Sequence, residues 1–169
     1  MKQLILSRHA KTEVIRFDIN DFERNLTNRG INDSALVSSY LLEKGIETDL
    51  IISSPANRAI ATARLYANQF NIQLDQIIQI DQLYDGFSTQ EFLEMLQTKA
   101  GRKDKVWVFG HNPDIASWAS KLINEGYLHV PTGTAIGIEF DVENWTDIDA
   151  RSGKLIHYTT PKILKEKLS

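Results

Sequence analysis

Two histidines and two arginines stand at positions from which they could bind and transfer a phosphoryl group. Arg8 and His9 directly follow one short apolar run. Arg58 comes shortly after a second run, and His111 directly follows a third. An arginine guanidinium matches the oxygens of a phosphoryl group in two-point hydrogen bonds. A neutral imidazole can attack phosphorus and hold it covalently, while a second histidine donates to the developing charge.

Each of these four residues also has an ordinary alternative role. Arg8 and His9 could cap the end of a strand, Arg58 could be a helix-surface arginine, and His111 could cap the helix that follows it. A metal site is disfavoured, because the chain has no cysteine and no HxH or HExxH spacing, and neighbouring cations would oppose a metal ion. The joint occurrence of all four at strand ends favours phosphoryl transfer.

The elements that position these residues follow from the alternation of short β-branched runs with longer amphipathic segments. This alternation predicts a parallel-rich sheet covered by helices on both faces. Ligands bind beyond the carboxyl ends of parallel strands, so the two histidines and two arginines should meet at one sheet edge. The predicted strands are 3–7, 49–53, 77–80 and 105–110, and the predicted helices are 28–44, 55–70, 89–99 and 113–124.

Several single residues and segments refine these boundaries. Thr27 is the predicted N-cap of the first helix, Gly45 its C-terminal stop, and Pro55 a first-turn residue of the second helix. Residues 134–142 and 154–159 have the pattern of an added hairpin or of edge strands. The last residues, KILKEKLS, have the composition of a solvated or frayed chain end.

Length, charge and composition narrow the class of protein. With 169 residues, of which 42% are hydrophobic, the chain can bury one core, which predicts a single domain over residues 1–169. A net charge of −3 gives no overall attraction to nucleic acid or to an anionic membrane. No signal-peptide pattern or bilayer-length apolar run is present. We therefore expect a cytoplasmic protein with neither a nucleic-acid nor a membrane partner.

Three motifs follow one another along the chain: RHA at 8–10, SSPANRAIATA at 53–63 and GHNP at 110–113. In these motifs the sequence resembles the histidine phosphatase superfamily, and specifically its small SixA-type phosphohistidine phosphatases. The resemblance covers nearly the whole chain. It implies a phosphoglycerate mutase-like fold, which is a three-layer α/β/α sandwich with a mostly parallel central sheet, and it implies no cofactor and no metal.

The resemblance also assigns roles to the four residues. It implies that His9 is the nucleophile and that Arg8, Arg58 and His111 complete the phosphate-binding pocket. These roles agree with those that charge and position suggest. The partner that the resemblance implies is a protein that carries phosphohistidine, such as a phosphotransfer or phosphocarrier protein.

The nature of the leaving group narrows the expected substrate. Hydrolysis of a phosphate ester usually needs a carboxylic acid to protonate the departing alcohol, whereas imidazole leaves easily once protonated. Asn112, not an acid, follows the second histidine, and Asp85 is the best substitute, although it also fits an ordinary turn before glycine. We therefore expect hydrolysis of protein phosphohistidine. The alternatives are hydrolysis of small phosphate monoesters with Asp85 as the acid, and a non-catalytic phosphate-binding module.

Overall fold

Six β-strands form one mixed sheet in the computed structural model, which describes residues 1–169. The strands are β1 (Lys2–Arg8), β2 (Leu50–Ser53), β3 (Ile78–Gln79), β4 (Lys105–Gly110), β5 (Ala135–Phe140) and β6 (Lys154–Thr159). Their order across the sheet is β3-β2-β4-β1-β5-β6. The first four strands are parallel to one another, and β5 runs antiparallel to both β1 and β6. The predicted, mostly parallel α/β fold is confirmed.

Six helices accompany the sheet. They are α1 (Asn28–Glu43), α2 (Asn57–Gln69), α3 (Gln82–Asp85), α4 (Thr89–Ala100), α5 (Asp114–Ile123) and α6 (Pro161–Leu168). Three single turns of 3₁₀-helix lie at Asp21–Glu23, Leu74–Gln76 and Trp145–Asp147. None of the helices combines the length and the apolar composition that a bilayer-crossing segment needs.

The helices cover both faces of the sheet, so the molecule has three layers. Successive side chains of a strand point to opposite faces, and the central strands are apolar on both. Leu4 and Leu6 of β1 belong to the cluster that includes α4 and α5, whereas Ile5 belongs to the cluster that includes α1, α2 and α6. Burial on both faces explains why β1 and β4 have nearly continuous apolar sequences.

The helix ends show one confirmed prediction and one correction. The Oγ1 atom of Thr27 accepts a hydrogen bond from the backbone N–H of Gly30, so Thr27 is the N-cap of α1 as predicted. The prediction that Pro55 lies in the first turn of α2 is wrong, because the helix begins at Asn57. The Oγ atom of Ser54 accepts the N–H of Ala56, and this local turn keeps residues 54–56 outside the helix.

The C-terminal third of the chain extends the sheet and then adds a helix. Strand β5 is an interior strand, and of the two C-terminal strands β6 alone lies at an edge of the sheet. Of the expected solvated or frayed end, most side chains are indeed exposed, but the chain is not frayed, because all of KILKEKLS except Ser169 belongs to α6. Thr160 caps that helix through the N–H of Ile163, the side chain of Leu164 is buried, and Lys165 Nζ lies 2.6 Å from Oδ1 of Asp33 on α1.

Candidate active site

The four predicted residues meet at the carboxyl edge of the parallel strands. Arg8 is the last residue of β1 and pairs in register with Gly110, the last residue of β4. His9 and His111 therefore follow adjacent parallel strands, and their ring centroids are 5.3 Å apart. Arg58 lies in the first turn of α2 and is buried. The structure thus brings all four side chains together.

The ring of His9 is held in one tautomer. Its Nδ1 atom lies 2.8 Å from the carbonyl oxygen of Ala10, and because a carbonyl can only accept, Nδ1 carries the proton. The lone pair is therefore on Nε2. Ala10 is fixed in turn, since its N–H donates to Oγ1 of Thr62, which donates to the carbonyl of Arg58. Burial, with the positive charges nearby, lowers the pKa of His9 to about 3, although its bond to Ala10 acts in the opposite direction.

The second histidine, His111, is oriented by the segment that follows β2. Its Nε2 atom lies 2.8 Å from Oγ of Ser54, and its ring packs edge-on against Tyr84 with the centroids 5.7 Å apart. Burial and the charge of Arg58 lower the pKa of His111 to about 4. Both site histidines are consequently neutral near neutral pH. A neutral His9 can act as a nucleophile, and a neutral His111 still has one N–H to donate.

The two arginines are anchored through their terminal nitrogens. Nη1 of Arg8 donates to the carbonyl of Val130 at 3.0 Å. Nη1 of Arg58 donates to the carbonyl of Asp21 at 2.7 Å, and its Nη2 donates to Oδ2 of the same residue at 3.0 Å. Burial, and next the charge of Arg58, lower the pKa of Arg8. Arg58 is buried and Arg8 is half-buried, and two cations close enough for one to lower the pKa of the other favour an anionic ligand between them.

Unpartnered polar atoms concentrate at this edge. Of five buried side-chain polar atoms without a hydrogen-bond partner in the protein, four belong to residues at the edge: Arg8 Nε, Arg58 Nε, His111 Nδ1 and Asn112 Oδ1. Buried polar groups are almost always hydrogen-bonded, so such a concentration marks a site where a ligand supplies the partners. Three of the four atoms are nitrogens, which suits the oxygens of a phosphoryl group.

Asp21 is a site residue that the sequence did not reveal. Its Oδ1 accepts from Nε and Nη2 of Arg24, at 3.0 and 2.8 Å, and its Oδ2 accepts from Arg58 and from the hydroxyl of Tyr84. Burial alone would raise the pKa of Asp21, but the bonds from Tyr84 and Arg24 and the charge of Arg58 lower it to about 2. Asp21 is therefore ionised and engaged by four donors.

Asp85, the acid that the sequence suggested, is the last residue of α3 and is exposed. The hydrogen bonds and ion pairs of the structure do not link its side chain to His9, His111 or either site arginine. Its neighbour Tyr84 makes the contacts instead, packing on His111 and bonding to Asp21. Asp21 and Tyr84, the two site residues not predicted from the sequence, belong to no recognisable motif. The one available signal is the spacing of Asp21 and Arg24, which is that of an i,i+3 ion pair.

Taken together, the arrangement can bind an anion and offer it a nucleophile. The backbone N–H of His9 is bonded to the carbonyl of Gly110 and its carbonyl accepts from Gly133, so the nucleophile has little freedom to move. No group of three or more histidine, cysteine, aspartate or glutamate side chains is placed to hold a metal ion. This geometry suits the binding of an anion beside a histidine that is able to act as a nucleophile.

Comparison with known proteins places this geometry in a family. The profile of the histidine phosphatase superfamily (branch 1) matches residues 4–114, which is well over half of the chain and includes all four candidate residues. The chain belongs to this superfamily. No curated protein sequence matches it significantly.

Solved structures share the superfamily fold over nearly the whole chain. The protein histidine phosphatase SixA, complexed with tungstate, has a TM-score of 0.81 and 19% identity, with 96% of this chain and 99% of that chain covered. A protein from Agrobacterium tumefaciens assigned as the phosphohistidine phosphatase SixA has a TM-score of 0.78 and 22% identity, with 95% of this chain and 98% of that chain covered. A protein from Escherichia coli K-12 assigned as an alpha-ribazole-5′-P phosphatase has a TM-score of 0.71 and 19% identity, with 95% of this chain and 98% of that chain covered. These similarities show a common phosphoglycerate mutase-like fold.

Proposed function

We propose that this member of the histidine phosphatase superfamily removes phosphate from phosphohistidine in a partner protein, without a metal, through a covalent intermediate on His9. The observation that carries the proposal is the bond from Nδ1 of His9 to the carbonyl of Ala10, because it leaves the lone pair on Nε2. A binding module would not need a buried, neutral and oriented imidazole. The positive charges of Arg8 and Arg58 favour a phosphoryl group over a metal ion at the same place.

The reaction would proceed in two displacements. Nε2 of His9 attacks phosphorus and forms a new P–N bond, while the P–N bond of the substrate breaks and its electron pair goes to the departing imidazole, which takes up a proton from solvent. Water then attacks the phosphoenzyme, releases inorganic phosphate and returns a proton to solvent. Arg8, Arg58 and His111 would hold the equatorial oxygens, on which negative charge is spread in the transition state.

The ionisation of Asp21 supports the choice of leaving group. Asp21 is the carboxylate that contacts Arg58, but with a pKa of about 2 it has no proton to give near neutral pH. An alkoxide leaving group needs such a proton, whereas the imidazole released from phosphohistidine has a conjugate acid with a pKa of about 6.5 and takes its proton from solvent. A site with an ionised carboxylate is therefore better suited to phosphoramidates than to alkyl phosphates.

The comparisons support the same substrate class. The structures with the TM-scores of 0.81 and 0.78 are of proteins named for phosphohistidine or protein-histidine phosphatase activity. The partner would be a phosphotransfer or phosphocarrier protein, whose modified histidine protrudes from its surface. We also propose that residues 1–169 form one histidine phosphatase domain.

A direct test follows the phosphoryl group from substrate to enzyme. The protein is mixed with a radiolabelled, histidine-phosphorylated phosphotransfer domain, and samples are quenched on a millisecond scale. We expect a transient, acid-labile and base-stable label on the enzyme, and no label or turnover for His9→Ala. His157→Ala on β6 is the matched control and should behave as the wild type. Full turnover by His9→Ala would refute the mechanism.

A second candidate is hydrolysis of small phosphate monoesters with Asp85 as the acid. It is favoured by the position of Asp85, which is adjacent to Tyr84, a residue that packs on His111. The fold is also shared with a protein assigned as a phosphatase of a small phosphate ester. If this candidate is right, p-nitrophenyl phosphate is a poor discriminator because its leaving group is good, so an alkyl phosphate is the probe. Asp85→Asn should then abolish alkyl phosphate hydrolysis and spare phosphohistidine.

A further inference from the structure

Apolar side chains are exposed in a cluster at one place in the molecule. Ten large hydrophobic residues are exposed, and three of them fall within four consecutive positions: Val14 at 75%, Ile15 at 78% and Phe17 at 113%. The other seven are spread singly along the chain, as is ordinary for a protein surface. None of the three packs against either buried cluster. Contiguous apolar exposure that folding does not require marks an interaction surface.

We call residues 13–20 the rim loop, because both of its ends are fixed at the candidate active site. At one end, the N–H of Glu13 donates to the carbonyl of Asn25, and Arg24 donates to the carbonyl of Glu13. Beyond the other end, Asp21 binds Arg58. Phe17 is only four residues from Asp21, so their Cα atoms are at most about 14 Å apart. The exposed side chains therefore stay close to the pocket.

The depth of the pocket determines what the rim loop can meet. His9 and Arg58 are each only 6% exposed, so a phosphoryl group must enter on a protruding side chain while the body that carries it stays outside. For a free phosphoamino acid that body is a few atoms. For a phosphoprotein it is a folded surface, which has to rest on the segments around the pocket, and the rim loop is one of them.

Charge on the rim loop indicates the character of that surface. Nε of Arg16 lies 3.2 Å from Oδ1 of Asp18, so the one cation of the loop is balanced by a neighbouring acid. The loop consequently presents apolar side chains without a strong field of either sign, and its one remaining acid, Glu13, opposes attraction to an anionic lipid surface. A largely uncharged protein surface fits this chemistry best.

We propose that the rim loop is the docking surface for the phosphoprotein substrate, and that Val14, Ile15 and Phe17 bind an apolar patch beside its phosphohistidine. This inference rests on the proposed function and adds the means by which the enzyme recognises the protein body of its substrate. Docking energy from the loop lowers KM for a phosphoprotein and has no effect on a free phosphoamino acid, whose few atoms do not reach the loop.

The test compares two substrates that share the scissile bond and the leaving group. One is a phosphotransfer domain phosphorylated on histidine with potassium phosphoramidate, and the other is free phosphohistidine. The variant combines Val14→Ser, Ile15→Ser and Phe17→Ser. Its control, Leu42→Ser with Leu74→Ser and Leu155→Ser, removes three exposed apolar side chains elsewhere. We expect kcat/KM for the phosphoprotein to fall by about tenfold or more, mainly through KM, in the rim-loop variant alone.

The outcomes separate this inference from the proposed function. If the wild type hydrolyses neither substrate, the proposed function fails. If the wild type hydrolyses both and the variant is unchanged, or loses both activities equally, docking by the rim loop is refuted and the function stands. Phe17-dependent sedimentation with phosphatidylcholine vesicles, or a dimer that the variant dissolves, would also overturn the inference by identifying a different occupant.

Discussion

The sheet edge and the segment from Lys11 to Thr27 hold two sides of the same pocket by different means. At the sheet edge, Arg8 and His111 extend from strands joined by a continuous parallel ladder, whose bonds are buried. Across the pocket, the segment from Lys11 to Thr27 has only an isolated bridge between Thr12 and Leu26, and is fixed chiefly by side chains. Arg24 and Asp21 take part in about half of those bonds.

This difference predicts a division of work between the two sides. Buried ladders open only with the whole fold, whereas segments with exposed bonds and few apolar contacts open locally. The sheet edge is thus suited to holding reacting groups in a fixed geometry. The segment from Lys11 to Thr27 is suited to admitting the substrate and then gripping it. Experiments on each side of the pocket can test this division, and their expected effects decrease in the order given.

The largest effect is expected at the sheet edge. If His111 donates to the phosphoryl oxygens as proposed, His111→Ala should lower the rate of phosphoenzyme formation by ~10²–10³-fold, as for the loss of one oxyanion donor elsewhere. Rapid-quench kinetics with labelled phosphotransfer domain measure this rate. His129→Ala, an exposed histidine, is the control. A rate within twofold of the wild type would mean that His111 does not contact the phosphoryl group.

A smaller effect is expected on the opposite side. Asp21→Asn keeps the size of the side chain but removes the charge that Arg24, Arg58 and Tyr84 share. Arg58 is then held less firmly, and kcat/KM for free phosphohistidine should fall roughly ten- to a hundredfold. Asp18→Asn, whose carboxylate pairs only with exposed Arg16, should leave it unchanged. Equal losses in both variants would contradict a positioning role for Asp21.

The anchoring of Lys11 on α1 can be tested through stability. A Cβ atom at Gly30 would overlap the carbonyl oxygen of Lys11, so the segment must move if Gly30→Ala is to fold. We expect the free energy of unfolding to fall by about 1–3 kcal/mol, measured by urea denaturation. Gly126→Ala, where no atom lies within 4 Å, is the control. No difference between the two would show that this anchor contributes nothing.

The smallest effect concerns titration, where we expect no change across the physiological range. With pKa values of about 3 and 4, His9 and His111 should have imidazole NMR chemical shifts that hardly change between pH 8 and pH 5. A midpoint near pH 6 would contradict their burial. Asp21→Asn should lower the pKa of His111 further, because a negative charge that favours its protonated form is lost. That response would show the two sides of the pocket to be electrostatically coupled.

The low pKa values of His9 and His111 also predict how the stability of the fold depends on pH. Histidines in the unfolded chain have a pKa of about 6.5, so below that pH the unfolded state binds more protons than the native state. His9 and His111 therefore make the fold less stable as the pH falls from about 6.5 toward 4. The urea concentration at the midpoint of unfolding should fall over the same range.

The sequence could predict the sheet edge because periodicity and burial leave a strong local signal there. Strands β1 and β4 are apolar on both faces, and each is followed at once by a histidine. Parallel strands place both histidines at the same edge of the sheet, and the pairing of β1 with β4 makes them neighbours. Their approach needs no knowledge of side-chain packing, and the ring separation of 5.3 Å agrees with it.

The opposite side could not be predicted, because its contacts are distant in sequence and lack a period. Asp21 and Arg58 are 37 residues apart and meet only through the path of an irregular segment. The error over α6 has a different cause. Its charge-rich composition resembles a solvated end, yet Thr160-Pro161 is an ordinary helix start. Buried Leu164 and the ion pair of Lys165 with Asp33 attach the helix to the rest of the fold.

The two apolar clusters on opposite faces of the sheet also give the protein two built-in optical reporters. Trp107 lies in the cluster beside α1 and α2, whereas Trp118 and Trp145 lie in the cluster beside α4 and α5. All three indoles are buried, so their native emission should be at short wavelength and shift to the red when water reaches them. Replacing the tryptophans of one face by phenylalanine leaves the other face as the sole emitter. Fluorescence can then follow the opening of each layer separately.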